Sequence, residues 1–147
     1  MKLARGTWVF ALDGTKMLLL KNAGDTRKPQ LQALVQQEAD NPRTSEQGSD
    51  RPGRVFSSAS PRRSAVGDAD WHEEAKKDFV RTALRVLEKH HADRGGDIIV
   101  LAAPTVLGDL RKHYPDQLRA AIAAEIDKDV VNHAPEQIVA IIDSHEN

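Results

Sequence analysis

The chain contains no cysteine. That excludes a disulfide framework and a thiolate zinc site. It also has no long apolar run. None approaches the ~20 consecutive residues needed to cross a bilayer. Charge of one sign is missing too: the formal net charge is -1 over 147 residues. No global field draws the molecule to nucleic acid or to an anionic membrane, so any such attraction is local. The opening Met1–Gly6 runs into a short apolar stretch interrupted by Asp13. It lacks the apolar core and small-residue cleavage site of a signal peptide, so a cytoplasmic location is expected. What remains is ordinary: 39% hydrophobic and 29% charged residues, the balance of a globular domain. A chain of this length reads as one domain, residues 1–147, with a sizeable core.

The first third reads as strands. Thr7–Leu12 is β-rich and ends at Asp13-Gly14, a strong short hairpin signal. Lys16–Lys21 is the return strand, and Asn22–Asp25 is a second turn. In Gln30–Gln37, Leu31, Ala33 and Val35 alternate with Gln32, Leu34 and Gln36, which suits a strand with one wet face; its glutamines would also suit a helix. Three such elements make an antiparallel meander.

Residues from about 40 to 68 are rich in Pro, Gly, Ser and Arg and read as a long flexible loop. Between Asp40 and Asp68 it holds Arg43, Arg51, Arg54, Arg62 and Arg63 against Glu46 and Asp50, so it is locally basic. A structureless stretch of this length inside a compact domain is usually functional or disordered. Guanidinium groups bind phosphates bidentately, and Gly53 lets a backbone approach closely. Arg51, Gly53, Arg54, Arg62 and Arg63 are therefore the candidate binding residues.

A long helix follows, expected from Asp70 to about Arg94. Asp70 reads as its N-cap and Glu73 as the reciprocal capping residue. Trp71, Ala75, Phe79, Ala83 and Leu87 recur every four residues, widened by Val80, Leu84 and Val86, and form the buried stripe. Gly95-Gly96 ends it. Asp97–Ala103 is a continuous apolar run, as in a strand covered on both faces. A helix is expected over Leu107–His113. A further parallel strand with a right-handed crossover is implied beyond it. The segment Gln117–Val131 fits either a helix or a short helix followed by a strand at about Ile122–Lys128. A last helix follows Pro135.

Other chemistry-bearing residues carry weaker signals. Trp71 reads as a core anchor and His72 as an exposed first-turn residue. A polar role for His72 with Glu73 is disfavoured because adjacent helix residues do not face each other. None of the six histidines has metal-ligand spacing, and the neighbours His90 and His91 point their rings apart. No metal or cofactor is expected. Asp13, Glu125, Asp127 and Asp129 are the acids to weigh for a two-metal nuclease; they read as solvated edge carboxylates and turn caps. Ala103–Gly108 lies at the C-terminal end of a buried strand, where open α/β sheets bind ligands. It lacks a glycine-rich phosphate loop.

Several segments together resemble a known family. These are Trp8–Gly14, Pro52-Gly53-Arg54-Val55-Phe56, Asp70-Trp71-His72, Ala103-Pro104 with Leu107-Gly108-Asp109-Leu110-Arg111, and Glu125–Asp129. In this order they are similar to the motifs of the bacterial host attachment protein family, described as required for attachment to host cells. That family is in turn similar to the middle domain of archaeal and eukaryotic peptide-chain release factors. The resemblance implies a single α/β domain with a five-stranded mixed sheet, an antiparallel meander plus two parallel strands, in ribonuclease-H-like order. It selects the strand at Ile122–Lys128. It implies a non-enzymatic binding protein acting on ribosomes or structured RNA through the Arg51–Arg63 loop, with Asp13, Trp71 and His72 in support. Any role in attachment is then indirect. In the release factors the corresponding loop bears Gly-Gly-Gln. Here it offers Glu46-Gln47-Gly48 and Pro52-Gly53-Arg54, so peptide release does not carry over. The alternatives are a hydrolase of the peptidyl-tRNA or nuclease type, or a small-ligand sensor using the crevice at Ala103–Gly108.

Overall fold

The computed structural model describes residues 1–39 and 61–145, and over 61–73 the path of the backbone alone. The elements run β1 (Trp8–Leu12), β2 (Lys16–Asn22), β3 (Leu31–Glu38), α1 (Pro61–Arg94), β4 (Ile98–Leu101), α2 (Pro104–His113), α3 (Asp116–Ala121), β5 (Ile122–Ile126) and α4 (Pro135–Ser144). The five strands form one mixed sheet in the order β3-β2-β1-β4-β5. β1–β2 and β2–β3 pair antiparallel, and β1–β4 and β4–β5 pair parallel. This is the meander plus parallel pair that the sequence suggests, and the ambiguous segment resolves as short helix then strand.

The central strands are buried along their whole length because both sheet faces are covered. Alternate side chains point to opposite faces, and two clusters result. On one face Trp8, Phe10, Leu12, Met17, Leu19, Ile98 and Val100 pack against Phe79, Val80, Ala83, Leu84 and Leu87 of α1, and against Leu107, Leu110, Tyr114 and Leu118. On the other, Val9, Ala11, Leu18, Leu20, Ile99, Leu101 and Ile126 pack against Ile138 and Ile142 of α4 and against Leu3, Val130 and Val131. From Phe79 to Leu87 the apolar stripe read from the α1 sequence is the face that covers the sheet; the Trp71 side chain lies outside the described residues.

Local chemistry fixes the joints. Asp13 Oδ1 accepts from the Thr15 N–H (2.7 Å), the Lys16 N–H (2.6 Å) and the Thr15 hydroxyl (3.1 Å), which closes the β1–β2 turn. Asn22, buried at the end of β2, donates to the Leu3 and Ala4 carbonyls and accepts from the Gly24 and Gln30 N–H groups. At the end of α1, Gly95 takes a left-handed φ of +64°. Its N–H donates to the His91 carbonyl at 2.6 Å, satisfying an orphan helix carbonyl. The Trp8 indole N–H donates to the Gly95 carbonyl at 2.7 Å, tying the helix end to β1.

Two expectations are corrected. The long helix begins at Pro61, not Asp70, so Asp70 and Glu73 are interior residues and not a cap. Pro at the first helical position is a start signal that the Pro, Gly and Ser content of the segment masked. The other correction concerns β3. Leu20 pairs with Ala33 and Leu19 with Val35, so Leu34 is an extra, bulged residue. Leu31 therefore packs on the α4 side and Val35 on the α1 side. Leu34 is left 40% exposed. No described helix is long and apolar enough to cross a membrane.

Candidate functional site

In the sequence the basic segment lies between β3 and α1 and runs into the first turn of α1. Arg51, Gly53 and Arg54 lie outside the described residues. Arg62 and Arg63 stand in the first turn of α1, and Trp71 and His72 further along the same helix. This corrects the backbone setting expected for the two arginines: they belong to a helix rather than to a loop. Pro61 to Lys76 is fifteen steps, about 22 Å of helix. Near the far end of that distance the Lys76 side chain passes over Gly14 in the β1–β2 turn, so closely that a Cβ there would meet it at 2.8 Å. Asp13 is spent on the turn itself.

Beyond that point α1 carries a feature the sequence reading missed. Lys77, Arg81, Arg85 and Lys89 recur every four residues, which places them along one side of a helix at a rise of about 6 Å each. Lys77, Arg85 and Lys89 are exposed and Arg81 is half-buried. Arg81 pairs with Asp78 at 3.2 Å. Arg81, Leu84, Arg85 and Glu88 join His113 and Pro115 around a cavity of about 220 Å³ between α1 and the end of α2. The four-residue spacing was legible in the sequence but was eclipsed by the apolar stripe beside it.

On the other side of the His113–Pro115 turn lies a polar cluster. Arg111 Nε and Nη2 donate to Glu125 Oε1 at 2.9 and 2.8 Å. The Tyr114 hydroxyl donates to Glu125 Oε2 at 3.0 Å. The Glu125 side chain is 20% exposed and the Arg111 side chain 57%. The hydrogen bond to Glu125, then its charge, raise the Arg111 pKa. Burial first, then the Glu125 charge and hydrogen bond, raise that of Tyr114. Arg119 Nη2 donates to the Arg111 carbonyl at 3.1 Å, and its guanidinium lies 5.8 Å from the centre of the Tyr114 ring. Arg111, Tyr114, Arg119 and residues Ile122 to Glu125 surround a cavity of about 390 Å³.

Glu125 is thus a structural anion, its two oxygens bound within the chain. Asp129 Oδ1 accepts from the Val131 N–H at 3.3 Å, as a turn cap does. Among the described residues no three His, Asp or Glu side chains gather as a metal-binding group. Residues of the Ala103–Gly108 crevice line neither cavity.

A five-stranded mixed sheet in the order β3-β2-β1-β4-β5, with a long helix packed on one face, is consistent with a release-factor-like α/β domain. The chain belongs to the family described as bacterial archaeo-eukaryotic release factor family 12, which matches it over residues 6–142. No curated protein matches the chain.

Proposed function

We propose that this protein is a non-enzymatic binding protein of the cytoplasm that acts on ribosomes or structured RNA. Arg51, Gly53, Arg54, Arg62 and Arg63 form its contact segment, with Trp71 and His72 following on α1. Membership of a release-factor-like family carries this reading. The excess of arginine over acid between Asp40 and Gly67 supports it. The cationic row Lys77, Arg81, Arg85 and Lys89 extends positive charge along the same helix toward the body of the domain. On this reading a role in attachment to host cells is indirect, exerted through expression of surface components.

The test is co-sedimentation with ribosomes over a salt series. Each phosphate contact to a single strand contributes about 0.7 to the slope of log affinity against log salt. The double variant Arg51→Ala/Arg54→Ala is expected to bind less and to flatten the slope by about 1.4. Wild-type protein that stays in the supernatant at low salt, or a double variant with an unaltered slope, refutes the reading.

A further inference from the structure

We propose that the cavity between α1 and the end of α2 is a pocket for one guanine base. Arg81, Leu84, Arg85 and Glu88 line it from α1, and His113 and Pro115 from the other side. The four α1 residues stand at i, i+3, i+4 and i+7, the set that shares one helix face. Leu84 is buried and makes the wall apolar there. Glu88 and Pro115 are half-buried, while Arg85 and His113 are exposed. At about 220 Å³ the cavity is smaller than the roughly 300–1,000 Å³ of sites for drug-sized ligands. It suits a single flat ring system, not a base pair.

The polar groups of the pocket are not spent on one another. Among the described residues neither Arg85 nor Glu88 makes an ion pair. Arg81 commits Nη1 to Asp78 at 3.2 Å, and its buried Nε has no acceptor among them. A partly buried carboxylate without a partner costs free energy, which a ligand bearing N–H groups recovers. Charge alone selects nothing here. Arg81 and Arg85 stand against Asp78 and Glu88, with His113 beside them, so the site does not single out a phosphate.

The hydrogen-bond pattern selects instead. The Watson–Crick edge of guanine sets N1–H and the N2 amino group side by side, with the O6 acceptor next to them. The two donors match the two oxygens of Glu88, and O6 matches a guanidinium donor. Adenine and cytosine bring one amino group to that edge and uracil one N–H, so each leaves a Glu88 oxygen without a partner. Unpaired bases of RNA are read on this edge and stack on flat side chains, histidine among them. His113 supplies such a ring beside the cavity. This inference rests on the RNA reading above and names the base; a free guanine nucleotide carries the same edge.

The experiment uses the isotope-labelled full chain. The probes are single-stranded oligouridylates carrying one guanosine, inosine or adenosine, and guanosine monophosphate as the free nucleotide. The guanosine strand is expected to shift the amides of Leu84, Arg85, Glu88 and His113. It is expected to bind about ten-fold more tightly than the inosine strand, which lacks only the N2 amino group, and than the adenosine strand. Glu88→Gln, with its fold checked by circular dichroism, is expected to bind the guanosine and inosine strands alike. Arg85→Ala, at an exposed position, is expected to weaken the guanosine strand about ten-fold. The pocket serves RNA if the guanosine strand outbinds guanosine monophosphate, and a free nucleotide if the two bind equally. No response to either guanine probe, equal affinity for the three strands, or shifts away from the cavity overturns the proposal. So does a guanosine preference that survives in folded Glu88→Gln. Guanine preference without ribosome co-sedimentation refutes the ribosome reading and leaves the pocket; co-sedimentation without guanine preference refutes the pocket alone.

Discussion

Tyr114 is the one tyrosine of the chain, so its ionisation can be followed without interference from others. It is buried beneath the α2–α3 turn and donates to a carboxylate that Arg111 also holds. Burial and the Glu125 charge disfavour the phenolate and raise its pKa above the ordinary value of about 10. The sign for stability follows. The unfolded chain loses this proton near pH 10, while the folded chain retains it. The interaction is thus fully present below pH 10 and is lost as pH rises above it, at up to about 1.4 kcal/mol per unit. Tyr114→Phe is expected to cost about 1.5 kcal/mol at neutral pH, for a hydrogen bond to a charged group. The gap between the two proteins should then close about one unit above pH 10. Urea denaturation from pH 7 to 11 measures both. A gap that stays constant across that range contradicts the assigned hydrogen bond.

At the scale of elements, the sequence was most readable where one signal dominated. The buried strands β1 and β4 announced themselves as apolar runs, and the four-residue recurrence of Phe79, Ala83 and Leu87 gave the sheet-facing side of α1. It misled where two signals competed. Pro61 with Gly67 reads as loop by composition, yet Pro is well placed at a helix start and one Gly inside a helix costs only about 1 kcal/mol. The bulge at Leu34 left no mark, because Leu31, Ala33 and Val35 alternate as an unbulged strand does. The Arg111–Tyr114–Glu125 cluster was invisible for another reason. Its members are brought together by the crossover from α2 to β5, which no local pattern encodes. The early start of α1 can be checked directly. Gly67→Ala is expected to add helical ellipticity and to stabilise that end of the helix by about 1 kcal/mol. In a loop, the same substitution leaves ellipticity unaltered.

For the molecule as a whole, one sheet separates two cores that share no residue. α1, α2 and α3 cover one face, while α4 covers the other together with Leu3, Val130 and Val131. Ile98 is fully buried on the first side, and Ile138 and Ile142 on the second. Effects at sites without shared partners add, whereas neighbours in one cluster couple. Ile98→Val and Ile142→Val are each expected to cost about 1 kcal/mol. Their double variant is expected to lose the sum to within about 0.4 kcal/mol. Ile138→Val with Ile142→Val, one turn apart on α4 and in a single cluster, is expected to depart from its sum by more than that. Urea midpoints with unchanged slopes give all four quantities needed for each cycle. A large coupling across the sheet, equal to that within α4, means that the faces repack together, and the description of two cores then fails.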